Sequence, residues 1–246
     1  MADAVQLIVD ADVAGLQARL VFNDAWEEIV DGAERTRFAA RLGSWAQPGP
    51  NRLVVQWRPL AAPSAAPPVL MVQLRKATPA ASETLARFER TAEAPTTGAT
   101  QLDIAFEPVQ HWAWLDAERR AALTPDDRAE ITALMRRLYD ALVARSVPAL
   151  TDLLRHSISE QAVAHGGTPE DMIADFEESM GERMDERWQV RPVDPNALAM
   201  TPKGEGRLVH VTGAGGAPAL AAMSGRGPWF LSPYVARIGG VWQIVR

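Results

Sequence analysis

Thr124-Pro125-Asp126-Asp127-Arg128-Ala129-Glu130-Ile131-Thr132-Ala133-Leu134-Met135-Arg136-Arg137-Leu138-Tyr139-Asp140-Ala141-Leu142 is the stretch on which the fold turns. Thr124 suits an N-cap, Pro125 the first helical position, and an acidic residue stands three beyond the cap, so a helix opens here. Ile131, Leu134, Met135, Leu138 and Leu142 then share one stripe at 3.6-residue spacing. Ser146-Val147-Pro148 starts a second, shorter helix with Leu150, Leu153, Leu154 and Ile158 on its apolar side. Gly166-Gly167 breaks the chain, and Thr168-Pro169-Glu170-Asp171 repeats the capping signature before Ile173, Phe176 and Met180.

Beyond these helices the period falls to two. Arg207 to Val211, Pro218 to Met223, Trp229 to Ile238 and Val241 to Val245 read as strands, with Gly239-Gly240 as the tightest hairpin signal. Helices followed by strands make an α+β pattern. Before residue 120 the chain shows only short alternating runs: Leu7, Val9 and Ala11; Leu20 to Phe22; Leu53, Val55 and Trp57; Val69 to Arg75; Leu102 to Phe106. Asn23-Asp24 and Gln47-Pro48-Gly49-Pro50-Asn51 mark turns, and the prolines and alanines of 61–68 a loop. At least five strands and no long helix predict an antiparallel β-sandwich. The expected organisation is an all-β sandwich over 1–110, an aromatic-rich connection over 111–123, and an α+β cone of three helices on a curved antiparallel sheet over 124–246.

Composition narrows the functions. Of 246 residues, 47% are apolar and 23% charged, which excludes disorder and fibrous repeats. Lys and Arg number 25 against 31 Asp and Glu, a net charge of −6, and no basic stripe for nucleic acid is visible. The absence of cysteine excludes disulfides, thiolate metal sites and thiol catalysis. The start lacks a basic region and an apolar core, so no signal peptide is read, and no stretch approaches a membrane span. The expectation is a soluble, cytoplasmic protein.

Residues 124–246 resemble the nuclear-transport-factor-like superfamily, which includes SnoaL-like proteins. The resemblance rests on the three capped helices and on the ending Tyr234-Val235-Ala236-Arg237-Ile238-Gly239-Gly240-Val241-Trp242-Gln243-Ile244-Val245-Arg246. It implies helices packed on a strongly curved sheet, often with a pocket inside, and often a homodimer through the open face of that sheet. Residues 1–108 are more loosely similar to jelly-roll accessory domains of sugar-processing enzymes, through Phe22-Asn23-Asp24 and Pro48-Gly49-Pro50-Asn51-Arg52-Leu53-Val54-Val55. That similarity implies a sandwich; in such domains these positions shape turns.

The cone resemblance brings ketosteroid isomerase as reference chemistry: an Asp base, with a Tyr and a protonated Asp holding an oxyanion. The polar candidates here are Tyr139 beside the first helical stripe, Asp175 on the third helix, and His210 and Tyr234 on strands. No two of them form a recognisable pair at fixed spacing, so no catalytic residue is assigned. His111, His156, His165 and His210 show no metal-ligand spacing, and neither metal nor cofactor is expected. Gly213 to Ala217 lacks the following helix of a phosphate loop, and Ser224-Gly225-Arg226-Gly227 is no nucleophile elbow because position 222 is Ala.

Eight tryptophans are the unusual count. Trp26 and Trp45 lie at turns, where exposure would mark a binding surface. Trp112 and Trp114 are expected to pack the two domains together. The leading reading is a non-catalytic interaction protein of the bacterial cytoplasm that engages a protein partner, with immunity and adaptor proteins as fold-level analogues. The alternatives are a small-molecule or isomerase-like pocket in the cone, and carbohydrate recognition by the sandwich on a platform including Trp26 or Trp45.

Overall fold

A computed structural model describes residues 5–62, 67–91 and 95–246. The chain divides into two compact units, one running to His111 and the other from Trp112 onward. Among the described residues, fifteen strands form four sheets, and the three α-helices all lie in the second unit.

The first unit holds β1 (Gln6–Ala14), β2 (Leu16–Phe22), β3 (Trp26–Asp31), β4 (Thr36–Arg41), β5 (Gly49–Pro59), β6 (Val69–Ala77), β7 (Ser82–Glu89) and β8 (Gly98–Phe106). They form two antiparallel sheets, ordered β4-β1-β6-β7 and β3-β2-β5-β8. The period-two alternation is why. Leu7, Val9, Ala11 and Val13 are buried on one sheet, and Leu16, Ala18, Leu20, Phe22, Leu53, Val55 and Trp57 on the other, while their neighbours face outward. Three strands that the sequence reading passes over, β3, β4 and β7, carry charged residues, and among them only Val30 is buried; pairing with apolar neighbours makes them strands. Of the loop expected over 61–68, residues 63–66 lie outside the described residues.

The Asn23-Asp24 turn forms as expected. Both residues have left-handed backbone, φ 52° and 53°, which asparagine and aspartate tolerate; the Ala25 N–H donates to the Phe22 carbonyl, and pairing resumes with Phe22 opposite Trp26. Buried Asn51 locks it to the second turn. Its side-chain oxygen accepts from Asn23 Nδ2 at 2.7 Å and from the Gln47 N–H at 2.9 Å, and its amide donates to the Gln47 and Gly49 carbonyls.

The second unit opens with α1 (Pro125–Val143), α2 (Val147–Ala164) and α3 (Pro169–Arg183). Thr124 and Asp127 form a complete capping box; Ser146 and Thr168 cap the other two helices. The second helix has 18 residues against 19 in the first, shorter by a single residue. Two sheets follow. β10 (Ala199–Lys203), β11 (Leu208–Thr212), β14 (Tyr234–Ile238) and β15 (Val241–Ile244) form one; β9 (Gln189–Val190), β12 (Leu220–Ser224) and β13 (Gly227–Leu231) form the other, in the order β13-β12-β9. The single strand expected over Trp229 to Ile238 is two, divided at Ser232-Pro233 and belonging to different sheets. Gly239 and Gly240, at φ 58° and 79°, make the last hairpin turn. No described helix is long and apolar enough to cross a membrane.

Candidate functional site

The apolar side chains of the second unit gather in one core. Ile131, Leu134, Met135, Leu138 and Leu142 of α1 meet Leu150, Leu154 and Ile158 of α2, Met180 of α3, and Val209, Val211, Val235, Trp242 and Ile244 of the sheet. Tyr139 packs at the rim of this cluster. Asp175 is exposed on α3. His210 and Tyr234 meet across neighbouring strands, their rings stacked with centroids 4.2 Å apart and planes 6° from parallel. Since Val209 and Val211 face the helices, alternation turns His210 to the other side of the sheet. The structure thus brings together one pair of the four candidates, on the face away from the helices.

A buried polar knot that the sequence reading missed lies in the same unit. Glu160 of α2 accepts a hydrogen bond from the Arg246 guanidinium, and the side chains are 9% and 4% exposed. The Glu160 carboxylate also accepts from the Ala113 N–H at 2.7 Å, and His156 Nε2 stands 3.6 Å away. Burial pushes the Arg246 guanidinium below its ordinary pKa, and Glu160 opposes that shift. The guanidinium lies over the Trp112 ring, 5.5 Å from its centroid. Trp112 and Trp114 are both fully enclosed, and the short turn Ala113–Asp116 packs against β14.

A second ionic cluster ties α1 to the last hairpin. Asp127 of the capping box takes Arg237 of β14 at 3.4 Å, and Arg237 also reaches Glu130 at 2.9 Å. Burial raises the Asp127 pKa, but the Thr124 hydrogen bonds together with Arg120 and Arg237 outweigh it and hold the carboxyl below its ordinary value. Each carboxylate in these two clusters is matched by a cation, so their geometry cross-links elements of the fold.

In the first unit the turn tryptophans pack. Trp45 is buried, and Trp26 stacks on Phe38 with centroids 6.2 Å apart, joining β3 of one sheet to β4 of the other. Trp57 stacks on Phe88 and donates from Nε1 to the Pro95 carbonyl.

An open groove lies instead on the outward face of β3-β2-β5-β8. It measures about 440 Å³ and is lined by Gln17, Arg19, Ile29, Gln56, Arg58 and Ala99, with Trp57, Thr97 and Gly98 at one end. The alignment is set by register: Arg19 pairs with Ile29 on one side and Gln56 on the other, Gln56 with Ala99, and Gln17 with Arg58. Arg19 donates from Nε to Glu27 at 2.6 Å and from Nη1 to Gln56 at 2.8 Å, and the Glu27 contact holds the guanidinium above its ordinary pKa. Arg58 donates from Nε and Nη2 to the Gln17 amide oxygen at 2.9 and 2.7 Å. Ile29 is 52% exposed beside them. These residues alternate with Ala18, Leu20, Val55 and Trp57 of the core, so period two assigns them to one face; which strands lie side by side was the missing information.

Comparison of the chain with family models, with curated proteins and with solved structures returns no match.

Proposed function

We propose that this chain is a non-catalytic binding protein that engages a protein partner through the outward face of β3-β2-β5-β8. The observation that carries this reading is the groove: open, apolar at Ile29 and Ala99, with Arg19, Arg58, Gln17 and Gln56 held in place by hydrogen bonds to one another. Polar groups fixed before binding lose less freedom on association. An exposed apolar side chain among them is the composition of a contact patch. Of the two tryptophans considered for a sugar platform, Trp26 is stacked on Phe38 and Trp45 is buried, which weighs against the carbohydrate reading. The core of the second unit is built from apolar side chains, which ranks a small-molecule site there behind the groove. For the second unit we propose the nuclear-transport-factor-like cone; the helix order and the final hairpin support it.

The test is affinity capture of the full chain under native conditions, beside an Ile29→Arg variant. The wild-type chain is expected to retain a stoichiometric protein, and the variant to lose it with an unchanged thermal midpoint. A wild-type chain without such a protein, or a variant that retains it, refutes the reading.

A further inference from the structure

The hydrogen bonds inside the groove have a direction. Both amide oxygens, of Gln17 and Gln56, are engaged by guanidinium donors, as is one oxygen of Glu27. The amide orientations are fixed by this, because a reversed amide would turn an NH2 group toward an Arg that has only donors. What the groove turns outward is therefore donors: the amide NH2 groups of Gln17 and Gln56 and the remaining N–H groups of Arg19 and Arg58. No carboxylate lines it among the described residues.

Charge follows the same pattern. Glu27 balances Arg19, whereas the Arg58 fork is laid on a neutral amide and has no carboxylate partner among the described residues. Gln17 occupies the Nε–Nη2 edge of Arg58 and orients it without neutralising it, which leaves the Nη1–Nη2 edge as the two-pronged grip for a planar carboxylate. The groove thus carries one surplus positive charge on a chain whose net charge is −6. Resting on the reading that this face binds the partner, we propose that the group seated in the groove is a carboxylate side chain of that partner. It is gripped by Arg58 with the Gln17 and Gln56 amides, while an adjoining apolar side chain packs on Ile29. A peptide is favoured over an acidic sugar because Trp57, the aromatic residue at the groove, faces the core and is 7% exposed, so the groove offers no ring for a sugar to stack on.

The experiment uses fluorescein-labelled twelve-residue peptides and the full chain in low salt, read by anisotropy. One peptide alternates Glu and Leu, its counterpart alternates Gln and Leu, and an oligogalacturonate supplies the acidic-sugar arm. The Glu/Leu peptide is expected to bind, the Gln/Leu peptide about tenfold more weakly, and Arg58→Gln to lose about tenfold for the Glu/Leu peptide. Arg52→Gln, on the same face outside the groove and 3.5 Å from Asp103, is expected to bind as the wild type does. Equal affinity for the two peptides, an unaffected Arg58→Gln, an equal loss in Arg52→Gln, or binding of the oligogalacturonate alone each overturns the proposal. A captured partner that is lost by Ile29→Arg but kept by Arg58→Gln overturns the carboxylate and leaves the face standing; one kept by both removes the face as well.

Discussion

Replacing Glu160 with Gln separates charge from shape at the most enclosed ion pair of the second unit. The substitution keeps the side-chain volume, but its single oxygen can accept from the Ala113 N–H or from the Arg246 guanidinium and not both, so one hydrogen bond is lost together with the negative charge. What remains is the Arg246 guanidinium, 4% exposed, which keeps its bond to the Val245 carbonyl and its place over the Trp112 ring but loses the carboxylate. An uncompensated buried charge costs about 3–5 kcal/mol, where a surface pair would cost at most about 1 kcal/mol. With a urea slope of about 1–3 kcal/mol per molar, the midpoint of the unit should fall by roughly 1 M or more. Because two units give no guarantee of a single transition, the readout is urea-dependent hydrogen exchange of peptides from α2. The companion is Glu160→Leu with Arg246→Met, which removes both charges; it should recover most of the loss, since apolar replacement of a buried pair is often close to neutral. A Glu160→Gln loss below about 1 kcal/mol, or a double variant no more stable than the single, would refute the argument that desolvation dominates this contact.

Other outcomes can be worked out from neighbouring contacts. Gly98→Ala would set a Cβ 2.4 Å from Cζ2 of Trp57, so the ring must move; a loss of about 1–3 kcal/mol is expected, with a change in tryptophan emission, and an unchanged spectrum and midpoint would contradict the packing. Asn51→Ala removes the bridge between the two turns of the first unit and should cost about 1–3 kcal/mol in chemical denaturation, with Asn51→Asp failing to restore the two donated bonds. Asp127 is held below the ordinary carboxyl value of 3.8 in the folded chain, so its contribution is present above that pH and is lost as pH falls through its lower folded value. Asp127→Asn should therefore lower stability at pH 7 and flatten the decline between pH 4 and pH 2 on a scale of about one titrating group; an unchanged acid profile would show that the carboxylate is not the group responsible.

Helix boundaries were legible because capping chemistry is local. Thr124, Ser146 and Thr168 each bond to a backbone N–H three residues on, and no distant residue has a say in that. The Asn23-Asp24 and Gly239-Gly240 turns were legible for the same reason, since a left-handed backbone admits few residue types. What escaped was whatever depends on strand order. The edge strand β4 owes its conformation to β1, whose paired residues lie 23 to 33 positions away, while β3 and β7 pair with sequence neighbours but have charged sequences of weak periodicity. Glu160 and Arg246 are 86 residues apart, and at the sequence level each looks like an ordinary solvated charge.

The same distinction separates the turn tryptophans from the long polar residues of the proposed binding face. A tryptophan near a turn still gains most by burial, and Trp26 and Trp45 find it through Phe38 and through the turn framework around Asn51. Gln and Arg at the outward positions of a strand gain little by burial, so their mutual order needs another cause. On β2 and β5 that cause is cross-strand register: Gln17 stands opposite Arg58 and Arg19 opposite Gln56, each amide facing a guanidinium. Two such pairs in successive outward rows leave one guanidinium balanced by Glu27 and the other by nothing stronger than an amide dipole. Shifting either strand by one residue would turn its own Gln and Arg onto the core side and break both pairs. The register that builds the sandwich core therefore also assembles the groove, and the stability of the first unit and the proposed partner contact draw on the same pairing of β2 with β5.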